Sequence, residues 1–222
     1  MPTYFTVNTI IELICFLVSL YCLFNDRDPF WKSFIIYLFI VYAVETTGIY
    51  LREQRHTNFH LYTVFFILEC GMISVFFYHL YSKYKSRVAL ILYAWLALFM
   101  ILFTLELKAN NFGGFPFKTA ALMSVIFVFA SCYFYLLVIR DEHFRKLGSY
   151  PSFWIVNGVL FYYFGGTACN IFYDYLLHQK LTPIGMSVRY IIFNVLNVLL
   201  YTCWSYAFIC RYRQRNLSPS SL

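Results

Sequence analysis

The sequence predicts an all-α fold, a polytopic membrane protein built as a seven-transmembrane-helix bundle with its N-terminus outside and its C-terminus cytoplasmic. Three observations predict it. The 222 residues are 61% hydrophobic and only 12% charged, with a mean hydropathy of +0.65, whereas a soluble domain carries about 25% charged residues. Apolar stretches near the ~20 residues that cross hydrocarbon follow one another along almost the whole chain, leaving no room for a separate soluble domain. Finally, five of the ten acidic residues, Glu12, Glu45, Glu69, Glu106 and Asp174, fall inside those stretches, while none of the seventeen Lys and Arg lies deep in one.

Helices are expected over 5–24, 31–51, 58–81, 88–107, 117–140, 153–177 and 188–211. The first opens without a basic leader and ends without a small-residue cleavage site, so it is expected to stay in the mature protein. Asn25-Asp26-Arg27-Asp28-Pro29 separates it from the second. Arg52 to Thr57 and Ser82 to Arg87 bound the third. The fourth and fifth are divided by Lys108 to Pro116 with Gly113-Gly114, the sixth begins after Asp141 to Pro151, and His178 to Gly185 precedes the seventh. Connections this short make successive helices antiparallel neighbours. Residues 1–211 thus form one transmembrane domain, and 212–222 a short basic tail expected to be disordered.

Orientation follows from the basic residues. Eleven lie in the first, third and fifth connections plus the tail, against six in the other three. The positive-inside rule then places the C-terminus in the cytoplasm, in the plasma (inner) membrane. Scattered in this way, the net charge of +7 is a topology signal and does not indicate a nucleic-acid partner. Tyr and Trp at the span ends, Tyr62 among them, read as an aromatic belt.

Carboxylates in hydrocarbon cost roughly 2.5 kcal/mol or more, so they normally face a polar interior and mark functional sites. Glu12, Glu45 and Glu69 lie in the outer half of their helices, and no cation in the spans can pair with them. Glu45 and Glu69 are therefore expected to be protonated or bonded to a neutral partner, with Tyr42, Thr46, Thr47, Asn194 and Asn197 as the donors within reach. Asn170 and Asp174 are one turn apart on the sixth helix, and Asn194 and Asn197 are spaced i,i+3 on the seventh. With Tyr162, these residues outline an outward-facing polar pocket about 10 Å deep. The inner half is nearly all apolar, which argues against a pore.

Competing readings attach to the same residues. Asn and Glu can act as interhelix glue, and Glu106 and Asp174 lie near enough to span ends to snorkel. Gly165-Gly166 reads as a close helix–helix packing site. His60 and His79 are at opposite ends of one helix, so no metal site is expected, and no cofactor is implied. The seven Cys, with no CxxC, read as core thiols.

Several classes are excluded. The last helix has no lysine for a retinal Schiff base, and the third ends in Tyr78-His79-Leu80-Tyr81 without the acidic-arginine-tyrosine motif of G-protein-coupled receptors. HExxH, GxSxG and phosphate-cradling glycine loops are absent from the sequence.

Two resemblances bear on function. The third helix, with Ile67-Leu68-Glu69 and Phe76-Phe77-Tyr78, and the start of the sixth, Pro151-Ser152-Phe153-Trp154-Ile155-Val156-Asn157-Gly158, resemble uncharacterised bacterial seven-helix membrane proteins similar to sensor-kinase membrane modules without the kinase. In size, span number and buried acids the chain is also similar to membrane-bound terpene cyclases. The outer-half polar cluster and the lack of a catalytic motif lead to a non-catalytic receptor, sensor or accessory protein that binds a small amphiphilic or lipid-like ligand, and cytoplasmic segments too small to be effectors imply that it signals through a protein partner. The alternative is an intramembrane acid-catalysed cyclase, with Glu45 or Glu69 as proton donor and Tyr162, Tyr163 or Phe164 stabilising carbocations by cation–π contact; no residue of the cyclase family's motif carries over to this sequence. A third reading is a purely structural, oligomeric component.

Overall fold

The helices form where the apolar stretches lie. The computed structural model describes residues 6–82, 87–140, 147–171, 180–181 and 186–216. Within them are α1 (Val7–Leu23), α2 (Pro29–Glu53), α3 (Phe59–Tyr81), α4 (Val88–Ala109), α5 (Phe117–Arg140), α6 (Pro151–Ile171) and α7 (Val188–Asn216). A 3₁₀ turn at Leu147–Ser149 precedes α6, and a two-residue antiparallel pairing of Lys180–Leu181 with Met186–Ser187 precedes α7. The fold is all-helical, as the sequence predicts.

Local chemistry sets the helix ends. Thr6 and Thr9 form a reciprocal capping box on α1, and Asp28 caps α2 by accepting from the Phe30 N–H at 3.0 Å, with Pro29 in the first turn. Arg55 leaves α2 at φ 58°, and Asn111 and Phe112 leave α4 at φ 48° and 56°, the left-handed conformations that stop a helix. Pro151 opens α6.

Consecutive helices pack against each other, and α7 closes back on α1, so the bundle is a ring. The most extensive contact is between α6 and α7. Glycine makes that possible: a Cβ on Gly165 would stand 2.6 Å from a Leu196 methyl, and one on Gly158 3.1 Å from the Trp204 ring. The packing role read from Gly165-Gly166 is therefore carried by Gly165, and by Gly158 two turns earlier.

Five helices, α2 to α5 and most of α7, are long and apolar enough to cross a membrane. Their outward faces carry exposed large apolar residues, including Ile36, Phe39, Val64, Leu90, Ile101, Leu105, Phe129, Leu136 and Ile139. Surface of that kind is stable only against lipid or another protein, and its spread around the ring fits a bilayer. The protein is accordingly membrane-embedded.

At the end of the bundle where α2 starts and α7 finishes, the interior is plugged by aromatic side chains. Phe34 packs on Trp204, Phe208 and Phe76 with ring centroids 5.5, 5.6 and 6.4 Å apart, and all four are essentially without solvent exposure. Edge-to-face packing of this kind adds to the burial of the rings. Asn157, a polar residue in that half, is satisfied by the Tyr135 hydroxyl.

The seventh helix runs to Asn216, five residues past the expected end at Arg211, and so takes in part of the stretch read as tail. Polar contacts at that end of the bundle hold it. Arg211 donates from Nε to Asp26 Oδ2 at 2.9 Å and from Nη2 to Oδ1 at 3.1 Å, and Arg215 Nη1 lies 3.6 Å from Oδ2. Gln214 donates to the Ser149 carbonyl at 2.9 Å. Residues 172–177, assigned to the sixth helix from sequence, lie outside the described residues.

Candidate functional site

Three helices bring three acids to one place. Glu12 is in the second turn of α1, Glu45 two turns before the end of α2, and Glu69 midway along α3, all in the half of the bundle opposite the aromatic plug. At 1.5 Å per residue they lie about 7 to 15 Å from the helix ends on that side. They line a single hollow of about 180 Å³ together with Val41, Val44, Tyr62, Phe65, Phe66, Phe115, Tyr162, Asn197 and Tyr201. Among the described residues, no Lys or Arg contributes to this wall.

The acids are held by tyrosines. Tyr62 donates its hydroxyl to Glu45 Oε2 at 3.0 Å, and Tyr163 donates to Glu69 Oε1 at 2.6 Å. This corrects the donor set expected from sequence. Thr46 spends its hydroxyl on the Tyr42 and Ala43 carbonyls of its own helix, as threonine commonly does inside a helix. Tyr62 reaches inward because Gly48 leaves room: a Cβ there would overlap the phenol ring, with Cζ at 2.9 Å. Asn58 steadies the same corner by donating to the Gly48 carbonyl at 3.3 Å.

Glu12 differs from the other two. The residue is 5% exposed, and its Oε2 has no hydrogen-bond partner. A buried polar atom without a partner costs about 1–3 kcal/mol, so one that lines a hollow is poised for something that enters it.

Of the residues picked from sequence, Glu12, Glu45, Glu69, Tyr162 and Asn197 meet at this hollow. Asn194 does not line it, although it lies three residues from Asn197. Three residues turn a helix about 300°, so the two share a side without sharing a direction. The Asn170 side chain and Asp174 lie outside the described residues. Tyr62, Phe65, Phe66, Phe115 and Tyr201 were not foreseen. Tyr62 has the sequence position of a belt residue, and Phe115 comes from the α4–α5 connection, where it packs on Phe66 at 5.4 Å.

Glu106 has a different task. Its two oxygens accept from the Lys118 and Thr119 N–H groups, each at 2.8 Å, and from the Thr119 hydroxyl at 2.7 Å. Those are the unsatisfied donors at the start of α5, so this carboxylate caps a neighbouring helix across the connection, where snorkelling was expected.

A second polar cluster, at the other end of the bundle, was not foreseen. Asp26, its side chain 1% exposed, is gripped by Arg211 with Arg215 nearby, and Arg211 also stacks over Trp31 at 5.3 Å. Burial alone would raise the Asp26 carboxyl. The hydrogen bonds from Arg211 and the Asp28 N–H, with the charges of both arginines, outweigh it and hold the group below the usual carboxylate range. Asp28 stands 3.9 Å from His79, which lies flat on Phe30.

Fold and site define a membrane-embedded seven-helix bundle with an internal hollow walled by aromatic rings and three carboxyl groups. No protein-family model, curated protein or solved structure matches the chain.

Proposed function

We propose that the protein is a non-catalytic receptor or accessory protein of the plasma membrane, binding a small amphiphilic ligand in the hollow and acting through a protein partner. The observation that carries this reading is the convergence of Glu12, Glu45 and Glu69 on one hollow, with an oxygen of Glu12 left unpartnered. Glu45 and Glu69 each give one oxygen to a tyrosine of a neighbouring helix, as glue would, but an acid serving only as glue would not leave a buried oxygen without a partner, as Glu12 does. The aromatic plug beneath the hollow favours binding over passage. With the N-terminus outside, as the basic residues suggest, the hollow faces the exterior half of the bilayer.

The test has two arms. A screen of small amphiphiles against the full chain in lipid nanodiscs is expected to find compounds that raise its melting temperature, and a Glu45→Gln/Glu69→Gln double variant is expected to fold and lose that response. A double variant that folds and responds as before would overturn the reading. Alkaline phosphatase fused to the C-terminus and made in a bacterium is expected to be inactive, and an active fusion would reverse the orientation.

A further inference from the structure

We infer that the ligand class is a small organic ammonium ion carrying one aromatic or similarly sized apolar group. This rests on the binding role proposed for the hollow and names its chemistry.

The hollow offers acceptors in excess. Glu45 and Glu69 each have one oxygen engaged by a tyrosine, Oε2 of Glu12 is free of any partner, and among the described residues no basic side chain is present in the wall to balance them. The hollow therefore favours a molecule that brings donors, together with a positive charge against which one of these carboxyl groups can ionise. An ammonium group supplies both, with up to three N–H donors pointing in different directions. An anion offers these carboxyl groups no counter-charge against which to ionise, and a neutral alcohol would bring a single donor.

The rest of the wall suits the body of such a molecule. Phe65, Phe66, Tyr162 and Tyr201 are aromatic, and a cation near a ring face gains from the ring's negative face when water is excluded. Val41 and Val44 add apolar surface. Size sets the limit: a cavity of about 150 Å³ takes a benzene ring, so about 180 Å³ admits one ring with a short aminoalkyl chain and nothing much larger. A metal ion does not fit the geometry, because among the described residues no three His, Cys, Asp or Glu stand close enough to share one.

The experiment compares 2-phenylethylamine with 2-phenylethanol and 3-phenylpropionate, its neutral and anionic counterparts, by calorimetric titration of the full chain in nanodiscs at neutral pH. The amine is expected to bind at least about tenfold more tightly than the alcohol, a factor worth about 1.4 kcal/mol, and the carboxylate not at all. Glu12→Gln, which keeps shape and removes the ionisable group, is expected to erase the preference for the amine by bringing its affinity down to the range of the alcohol's. Val44→Trp, which fills the hollow, is expected to abolish binding of both.

Alcohol or carboxylate binding as tightly as the amine, and lost in Val44→Trp, would overturn the ammonium assignment and leave the hollow as a binding site. Absence of binding by all three, or binding that survives Val44→Trp, would overturn both. If Glu12→Gln does not fold, the ranking of the three probes on the native chain decides.

Discussion

Breaking the grip of Arg211 on Asp26 is expected to destabilise the bundle by an amount that the geometry sets. Asp26 accepts two hydrogen bonds from the guanidinium, at 2.9 and 3.1 Å, and one from the Asp28 N–H at 2.9 Å. Removing one partner of a fully buried pair costs about 3–5 kcal/mol, because the survivor is left charged and unsolvated. Here the carboxylate is 1% exposed but Arg211 is 30% exposed, so water can reach the arginine when Asp26 is changed. Asp26→Asn should therefore cost only about 2 kcal/mol, close to one hydrogen bond to a charged group. Arg211→Ala strands the less exposed partner, with Arg215 at 3.6 Å as partial compensation, and should cost about 3 kcal/mol.

The double variant should recover about 1.5 kcal/mol relative to the sum, as expected for groups in direct contact. The assay is equilibrium unfolding in mixed micelles, repeated over pH. Because the native Asp26 carboxyl titrates below its unfolded value of about 3.9, its contribution is complete above that value. It drains away as the pH falls from there through the lower native value, and Asp26→Asn should remove that part of the acid limb. Costs that add within about 0.4 kcal/mol, or an acid limb unchanged by Asp26→Asn, would refute the reasoning.

Two further expectations concern packing and capping. Glu106→Ala removes three acceptor contacts from the first turn of α5 and should cost about 1–2 kcal/mol, while Glu106→Gln should restore part of it; unfolding free energies check both. Gly165→Ala drives a methyl into Leu196 and should cost about 1–3 kcal/mol, with Leu196→Ala in the same chain relieving the clash. A Gly165→Ala variant as stable as the parent would show that α6 and α7 can separate without penalty.

Much of the architecture was legible because a bilayer imposes a length on each helix and punishes charge along it. That is why the apolar runs placed the seven helices within a few residues wherever their ends are described, apart from the C-terminal part of α7. There the helix is held by Asp26, 185 residues from Arg211, and an ion pair so distant leaves no local pattern. Asp26 itself looked like turn punctuation, since a loop acid and a salt-bridged acid have the same letter. The site was half legible for a related reason. An acid in hydrocarbon is conspicuous wherever it sits, so Glu12, Glu45 and Glu69 stood out, but tyrosine is ordinary in membrane helices: Tyr62 could not be told from a belt residue, and Tyr163 stood out only as an aromatic ring of the cyclase reading and not as the donor to Glu69.

The sequence alone determined that the chain is a helical membrane protein with uncompensated acids, because hydrophobicity over a fixed span and the cost of buried charge are properties of composition and order. Only the tertiary structure decided which acids share a space. Whether two side chains on different helices face each other depends on helix rotation and on the close approaches that Gly48, Gly158 and Gly165 permit, and those are set by packing across the ring. Glu106 and Glu12 show the difference, equally conspicuous in the sequence, yet one closes a neighbouring helix and the other looks into a hollow with an oxygen to spare.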